Sequence, residues 1–142
     1  MKKITLVAIV AVLLLGCKKE RRVRFLINNT WALESVKNVD SVVKDTPPYV
    51  FILLFEEMID RDEFCFYKPG NNISDAYVSG NVKIGNNRIK FNVDDFNVGS
   101  RQFAQSWGEV FDNINLYETD GYNLVLKGKN GEIINLTKRS IL

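Results

Sequence analysis

The chain reads as a β-rich α+β protein: a strongly curved antiparallel sheet or small open barrel of about 7–8 strands, packed on one amphipathic helix. Three observations lead there. Short apolar segments recur with the two-residue alternation of half-buried strands. Turn signals separate them, among them Gly85-Asn86-Asn87, Asp120-Gly121 and Asn130-Gly131, which join antiparallel neighbours. The period changes between Asp95 and Ile114, where Phe103, Trp107, Val110, Phe111 and Ile114 share one helical stripe.

Residues 1–27 precede this domain. Lys2 and Lys3 give a positive start, and the twelve residues Ile4 to Leu15 are apolar or small. As a helix they would reach about 18 Å at 1.5 Å per residue, short of the roughly 30 Å hydrocarbon core, so they read as a secretory leader. The run ends in Leu13-Leu14-Leu15-Gly16-Cys17, which resembles the bacterial lipobox, where a cysteine after a small residue is diacylated on sulfur and becomes the new N-terminus. Residues 1–16 are thus expected to be a signal peptide and Cys17 the lipidation site. Two or more palmitate-like chains exceed the marginal hold of one, so the anchor is expected to be permanent.

Residues 17–27 read as a lipidated basic tether, with Lys18, Lys19, Arg21, Arg22 and Arg24 against Glu20. Basic side chains beside anionic headgroups contribute about 1 kcal/mol each. Lys18-Lys19-Glu20 has neither the aspartate that often holds lipoproteins in the inner membrane nor an acidic export run. The expected location is the outer membrane, facing the periplasm.

Residues 28–142 are long enough for one domain with its own core. Thr30 to Val36 places Trp31 and Leu33 in alternation, and Tyr49 to Phe55 is a nearly continuous apolar run, as in a fully buried strand. Asp45-Thr46-Pro47-Pro48 must be a loop, because proline removes ladder donors. Phe64 to Tyr67 is a short strand, followed by the turn Lys68-Pro69-Gly70-Asn71-Asn72. Tyr77 to Ile84 and Arg88 to Val93 flank a three-residue connection suited to positive φ. Asp94-Asp95 then reads as a cap or turn before a helix over about 100–114, with Ser100 as its N-cap. Ile114 to Thr119, Tyr122 to Lys127 and Glu132 to Thr137 complete a meander. Trp107 is expected to anchor the core.

The side-chain inventory narrows the chemistry. The sequence has no histidine, which removes Ser-His-Asp and Cys-His catalysis and the common zinc sites. With Cys17 acylated, Cys65 is the remaining thiol, and no intramolecular disulfide can form. Within Phe64-Cys65-Phe66-Tyr67 it reads as a buried, inert cysteine on a strand. Glu56, Glu57, Asp60, Asp62 and Glu63 are dense enough to suggest a cation site, but their spacing is not an EF-hand, and Arg61 sits among them. They read better as a solvated turn. No catalytic residue, metal site or cofactor is expected, and the chain does not read as an enzyme. Once Lys2 and Lys3 leave with the leader, 17 basic residues face 17 acidic ones; from Phe25 onward 12 face 16. An acidic domain in an envelope is a poor match for nucleic acid.

The order of parts resembles the META-domain family of small bacterial envelope lipoproteins. The residues that carry the resemblance are the opening Asn29-Thr30-Trp31-Ala32-Leu33, the turn and strand Gly70-Asn71-Asn72-Ile73-Ser74-Asp75-Ala76-Tyr77, Asn87-Arg88-Ile89-Lys90-Phe91, the helix, and Leu124-Val125-Leu126-Lys127-Gly128-Lys129-Asn130-Gly131. It covers about Asn29 to Thr137, with Gly70 in place of the family's usual cysteine and Asp75 in place of its following glycine. The resemblance implies a non-enzymatic role in envelope maintenance or stress tolerance. The leading expectation is a monomeric binding module, membrane-held through Cys17, whose partner is an unknown envelope protein or small ligand. A lipocalin-like carrier of a small apolar ligand is the alternative, with Phe51, Phe55, Phe64, Phe66 and Phe91 either lining a cavity or filling the core. The expected contact loop holds Tyr67, Asn71, Asn72, Asp75 and Tyr77, a mixture of aromatic area and adaptable hydrogen bonding.

Overall fold

A computed structural model of the chain describes residues 23–39, 51–69, 77–96 and 101–139, apart from the side chains of residues 77, 95, 96 and 101–104. These residues contain eight strands and two short helices. Helix α1 covers residues 23–27 and helix α2 is Arg101–Asn113. The strands are β1 (Thr30–Lys37), β2 (Ile52–Glu57), β3 (Asp62–Tyr67), β4 (Tyr77–Ile84), β5 (Ile89–Phe96), β6 (Ile114–Thr119), β7 (Asn123–Gly128) and β8 (Ile133–Arg139).

They form one antiparallel sheet in the order β5-β4-β3-β2-β1-β8-β7-β6. Every neighbour in that order is also a neighbour in sequence except β1 and β8, the first and last strands. Those two pair from Thr30↔Arg139 to Lys37↔Ile133, with a bulge between Leu33 and Ser35. The sheet curls until its outer strands meet at one place, an antiparallel bridge between Arg88 and Leu116. Tyr117 reinforces the bridge: its N–H donates to Asn87 O at 3.0 Å and its hydroxyl to Gly85 O at 2.8 Å. The product is a nearly closed barrel with a seam between β5 and β6.

Alternation decides which side chains enter. Trp31, Leu53, Phe55, Phe64, Phe66, Val78, Val82, Phe91, Leu124, Leu126, Ile134 and Leu136 are buried in a single core. Helix α2, inserted between β5 and β6, adds Trp107, Val110 and Phe111. The helix rings meet those of the strands closely, with centroids 4.6 Å apart for Phe66–Trp107, 4.9 Å for Phe91–Phe111 and 5.2 Å for Phe66–Phe111. Edge-to-face and tilted pairs of this kind add about 0.5–1.5 kcal/mol each beyond their burial. The five phenylalanines Phe51, Phe55, Phe64, Phe66 and Phe91 fill the core.

The far end of α2 is tied down by a buried carboxylate. Glu132 is 6 % exposed, and its carboxylate accepts from Asn113 Nδ2 at 3.1 Å, Asn130 N at 2.9 Å and Asn130 Nδ2 at 3.2 Å. Lys129 N donates to Asn113 O at 3.1 Å, meeting a helix-end carbonyl. Gly128 leaves room for this arrangement, because a Cβ there would displace the Glu132 carboxylate from its place. At the opposite end, Leu26 of α1 is fully buried, and its carbonyl accepts from Trp31 Nε1 at 3.2 Å. Residues 23–27 of the stretch read as tether therefore form a helical turn that contributes to the core.

Several boundaries differ from the sequence expectation. Strand β5 runs through Asp94 and Asp95: Val93 pairs with Gly80, Asp94 is the extra residue of a bulge opposite Ser79/Gly80, and Asp95 resumes pairing with Ser79 instead of the two forming a turn. Gly80 permits that bulge, since a Cβ would strike Asn92 O. Gly85, Asn86 and Asn87 do not use positive φ; among the described residues it occurs at Asn38, Gly80, Gly121 and Gly131. Strand β7 starts at Asn123, because Asp120 Oδ1 accepts from both Tyr122 N (2.9 Å) and Asn123 N (2.7 Å) and widens the turn, so that Thr119 faces Leu124. Ile114 is buried as expected, but as the first residue of β6. Ser100 lies outside the described residues.

Candidate functional site

The seam supplies the site. Beside the Arg88–Leu116 bridge the two outer strands diverge around a cleft of about 410 Å³. Ile84, Ile89 and Ile114 give it apolar walls, and Lys83, Arg88, Lys90 and Lys129 stand around it, with Asp112 as the one acid among the described lining residues.

These cations arrive from three elements. Lys83 of β4 and Lys90 of β5 point outward, because Val82, Ile89 and Phe91 point in, and they are direct cross-strand partners. Like charges in that position oppose strand pairing. Arg88 lies two residues before Lys90 on the same outward face, and Lys129 comes from the β7–β8 turn that receives the end of α2. Among the described residues the ion pairs are Arg61–Glu63 at 2.9 Å and Lys127–Glu118 at 2.6 Å; none of the four cleft cations belongs to either. A net excess of positive charge around an apolar hollow can hold an anionic group whose body is partly apolar.

The carboxylate cluster lies on the neighbouring hairpin. Glu56 faces Glu63 and Glu57 faces Asp62 across β2 and β3. Arg61 Nε reaches Glu63 Oε1 and offsets part of the repulsion. Desolvation, with the Glu57 charge second, pushes the Asp62 carboxyl above its ordinary value. Among the described residues no group of three or more Cys, Asp or Glu side chains is placed to hold a metal ion. A broader polar cleft of about 580 Å³ runs from Asp60 and Asp62 to Asn81 and Asn92. In that region Asn81 Nδ2 donates to Asp94 Oδ2 at 2.9 Å.

Of the residues expected to form a contact loop, Tyr67 and Tyr77 are cross-strand partners at the start of the β3–β4 connection, and the Tyr67 side chain is half-buried. Asn71, Asn72 and Asp75 lie outside the described residues, as does Cys17. Cys65 is a free thiol on the outward face of β3, half-buried, and burial followed by the nearby Glu56 charge raises its pKa, favouring the neutral form. Sequence reasoning missed the seam cations. Basic residues alternating with apolar ones in Lys83-Ile84 and Arg88-Ile89-Lys90-Phe91 were the available signal.

No family model and no curated protein matches the chain. Solved structures do. A crystal structure of a DUF4847 family protein from Bacteroides vulgatus matches with a TM-score of 0.56 at 14 % identity, covering 81 % of this chain and 96 % of that one. An NMR structure of a protein from Burkholderia xenovorans matches with a TM-score of 0.50 at 10 % identity, covering 83 % and 86 %. At such identities the likeness is one of fold. No described helix is long and apolar enough to cross a membrane.

Proposed function

We propose that the protein is a non-enzymatic, lipid-anchored binding module of a bacterial envelope, held by Cys17 and recognising an anionic group at the seam cleft. The observation that carries this reading is the set of four cations, outside any ion pair, around an apolar hollow on a domain that is otherwise acidic. The META-like role in envelope maintenance or stress tolerance belongs to the same proposal and is supported by the order of strands and helix. A carrier of lipocalin type needs room inside the barrel, where Phe51, Phe64, Phe66, Phe91, Trp107 and Phe111 are packed ring on ring. Surface recognition is therefore the better-supported form of binding.

The test is titration calorimetry with monomeric decyl phosphate, against decanol as the uncharged control. Binding of the phosphate that weakens with salt and is lost in Lys83→Gln/Lys90→Gln supports the reading. Equal binding of both compounds, or of neither, rejects it. Metabolic labelling with radioactive fatty acid tests the anchor separately: Cys17→Ser should abolish the label.

A further inference from the structure

The strand directions place three hairpin turns and α1 at one end of the barrel. The β2–β3 turn (58–61), the β4–β5 turn (85–88) and the β6–β7 turn (120–122) all lie there. Helix α1 lies there too, because β1 begins where β2 is running toward its end, with Trp31 opposite Leu53. β2 continues four residues past that pair, so the β2–β3 turn projects beyond the first residues of β1.

The same end collects exposed apolar side chains. Four large hydrophobic residues are exposed among those described: Met58 at 49 %, Ile59 at 102 %, Tyr122 at 76 % and Leu116 at 37 %. Met58, Ile59 and Tyr122 are all on tips at the α1 end, and the fourth flanks the seam. An isoleucine that is fully exposed at the point of a hairpin gains nothing in the isolated domain. The chain emerging from this end adds a second constraint. Val23 follows Cys17 by six residues, which even fully extended reach about 20 Å.

The geometry points to the bilayer surface as the occupant of this end: the Met58-Ile59 tip enters the headgroup–acyl boundary, Tyr122 settles at headgroup level, and the α2 end faces away. The inference rests on the lipid anchor of the proposed function. The residue types suit that partner, since tyrosine concentrates at membrane interfaces and an apolar tip gains free energy by leaving water. The basic run Lys18 to Arg24 approaches the same surface. Asp60 sits on the tip beside Ile59, and Glu56, Glu57, Asp62 and Glu63 lie behind it on β2 and β3; all oppose an anionic surface, so the expected bilayer is predominantly zwitterionic.

Spin labels at Ile59→Cys, Tyr122→Cys and Lys37→Cys, each in a Cys65→Ser background of the mature lipoprotein, test this in protein-free phosphatidylcholine vesicles. Lys37 is the control, exposed at the opposite end of β1. The expected result is shielding of the labels at 59 and 122 from an aqueous nickel chelate, the first at a depth of about 5 Å or more, with the label at 37 freely accessible. Vesicle flotation with all three labels equally aqueous, or all equally shielded, overturns the orientation and leaves the anchor standing. Failure to float rejects the anchor and the orientation together.

Discussion

At one end of the barrel the thirteen-residue helix α2 lays Trp107, Val110 and Phe111 against Phe51 and the aromatic side chains of β3 and β5; at the other, α1 inserts Leu26. The first closure is built from contacts between segments far apart in sequence. The second is local: Trp31 Nε1 donates to a carbonyl five residues earlier, and Asn29 Nδ2 to Phe25 O four residues earlier. A plug assembled from large rings stabilises the whole domain, whereas a local turn mainly seals the mouth beside it. The contrast also divides charge. Buried Glu132 secures the helix end, while the opposite end carries its acidic residues in solvent on a hairpin.

Removing the largest ring should break the contrast most visibly. Trp107→Ala is expected to cost about 3–5 kcal/mol, read by urea denaturation, because a ring that is 1 % exposed leaves a cavity among packed neighbours. An unchanged transition would place Trp107 outside the core. Leu26→Ala should cost about 2–4 kcal/mol by the same measurement. If the local closure is only a seal, hydrogen exchange in that variant should rise first around residues 24–31 and leave α2 protected.

The tie at the helix end is next in size. Glu132→Ala should lower stability by about 1–3 kcal/mol, since it removes a charged acceptor from Asn113 and Asn130. Exchange should then rise at the end of α2. Trp31→Phe keeps most of the ring and loses the bond to Leu26 O, a loss of about 1 kcal/mol. The smallest effect belongs to the exposed Asp120 turn. Hydrogen bonds from the Asn123 side chain, then the Asn123 and Tyr122 backbone, lower its pKa from 3.8 to about 2. Its contribution is therefore complete above about pH 4 and is lost as pH falls through 2. The stability difference between the wild type and Asp120→Asn, measured across that window, should vanish at the acid end.

Much of this fold was legible because its signals are local. β4 and β6 begin and end where alternation meets turn residues, and α2 announces itself by the spacing of Trp107, Val110 and Phe111. Helix α1 was hidden because one short apolar run, Phe25-Leu26-Ile27, follows basic residues that read as linker. The β1–β8 pairing was invisible for a different reason: strands about a hundred residues apart leave no mark on each other's periodicity. The cleft failed in the same way. Lys83, Arg88 and Lys90 look like any solvated face until a curled sheet sets Lys129 and the end of α2 beside them, whereas Asp94 and Asp95 looked like a turn until Gly80 let the strand continue past them.

The joining of the first strand to the last also fixes an order of events in time. Strands β2 to β5 can zip together as they appear, each onto its predecessor. β1 cannot complete its edge until Asn135 reaches Ser35 and Thr137 reaches Glu34, contacts that span 100 and 103 residues. Closing so long a loop is slow, because its entropy is lost before the contacts reward it. A chain emerging from its N-terminus therefore keeps this barrel open, with β1 paired on one side alone, until β8 has arrived.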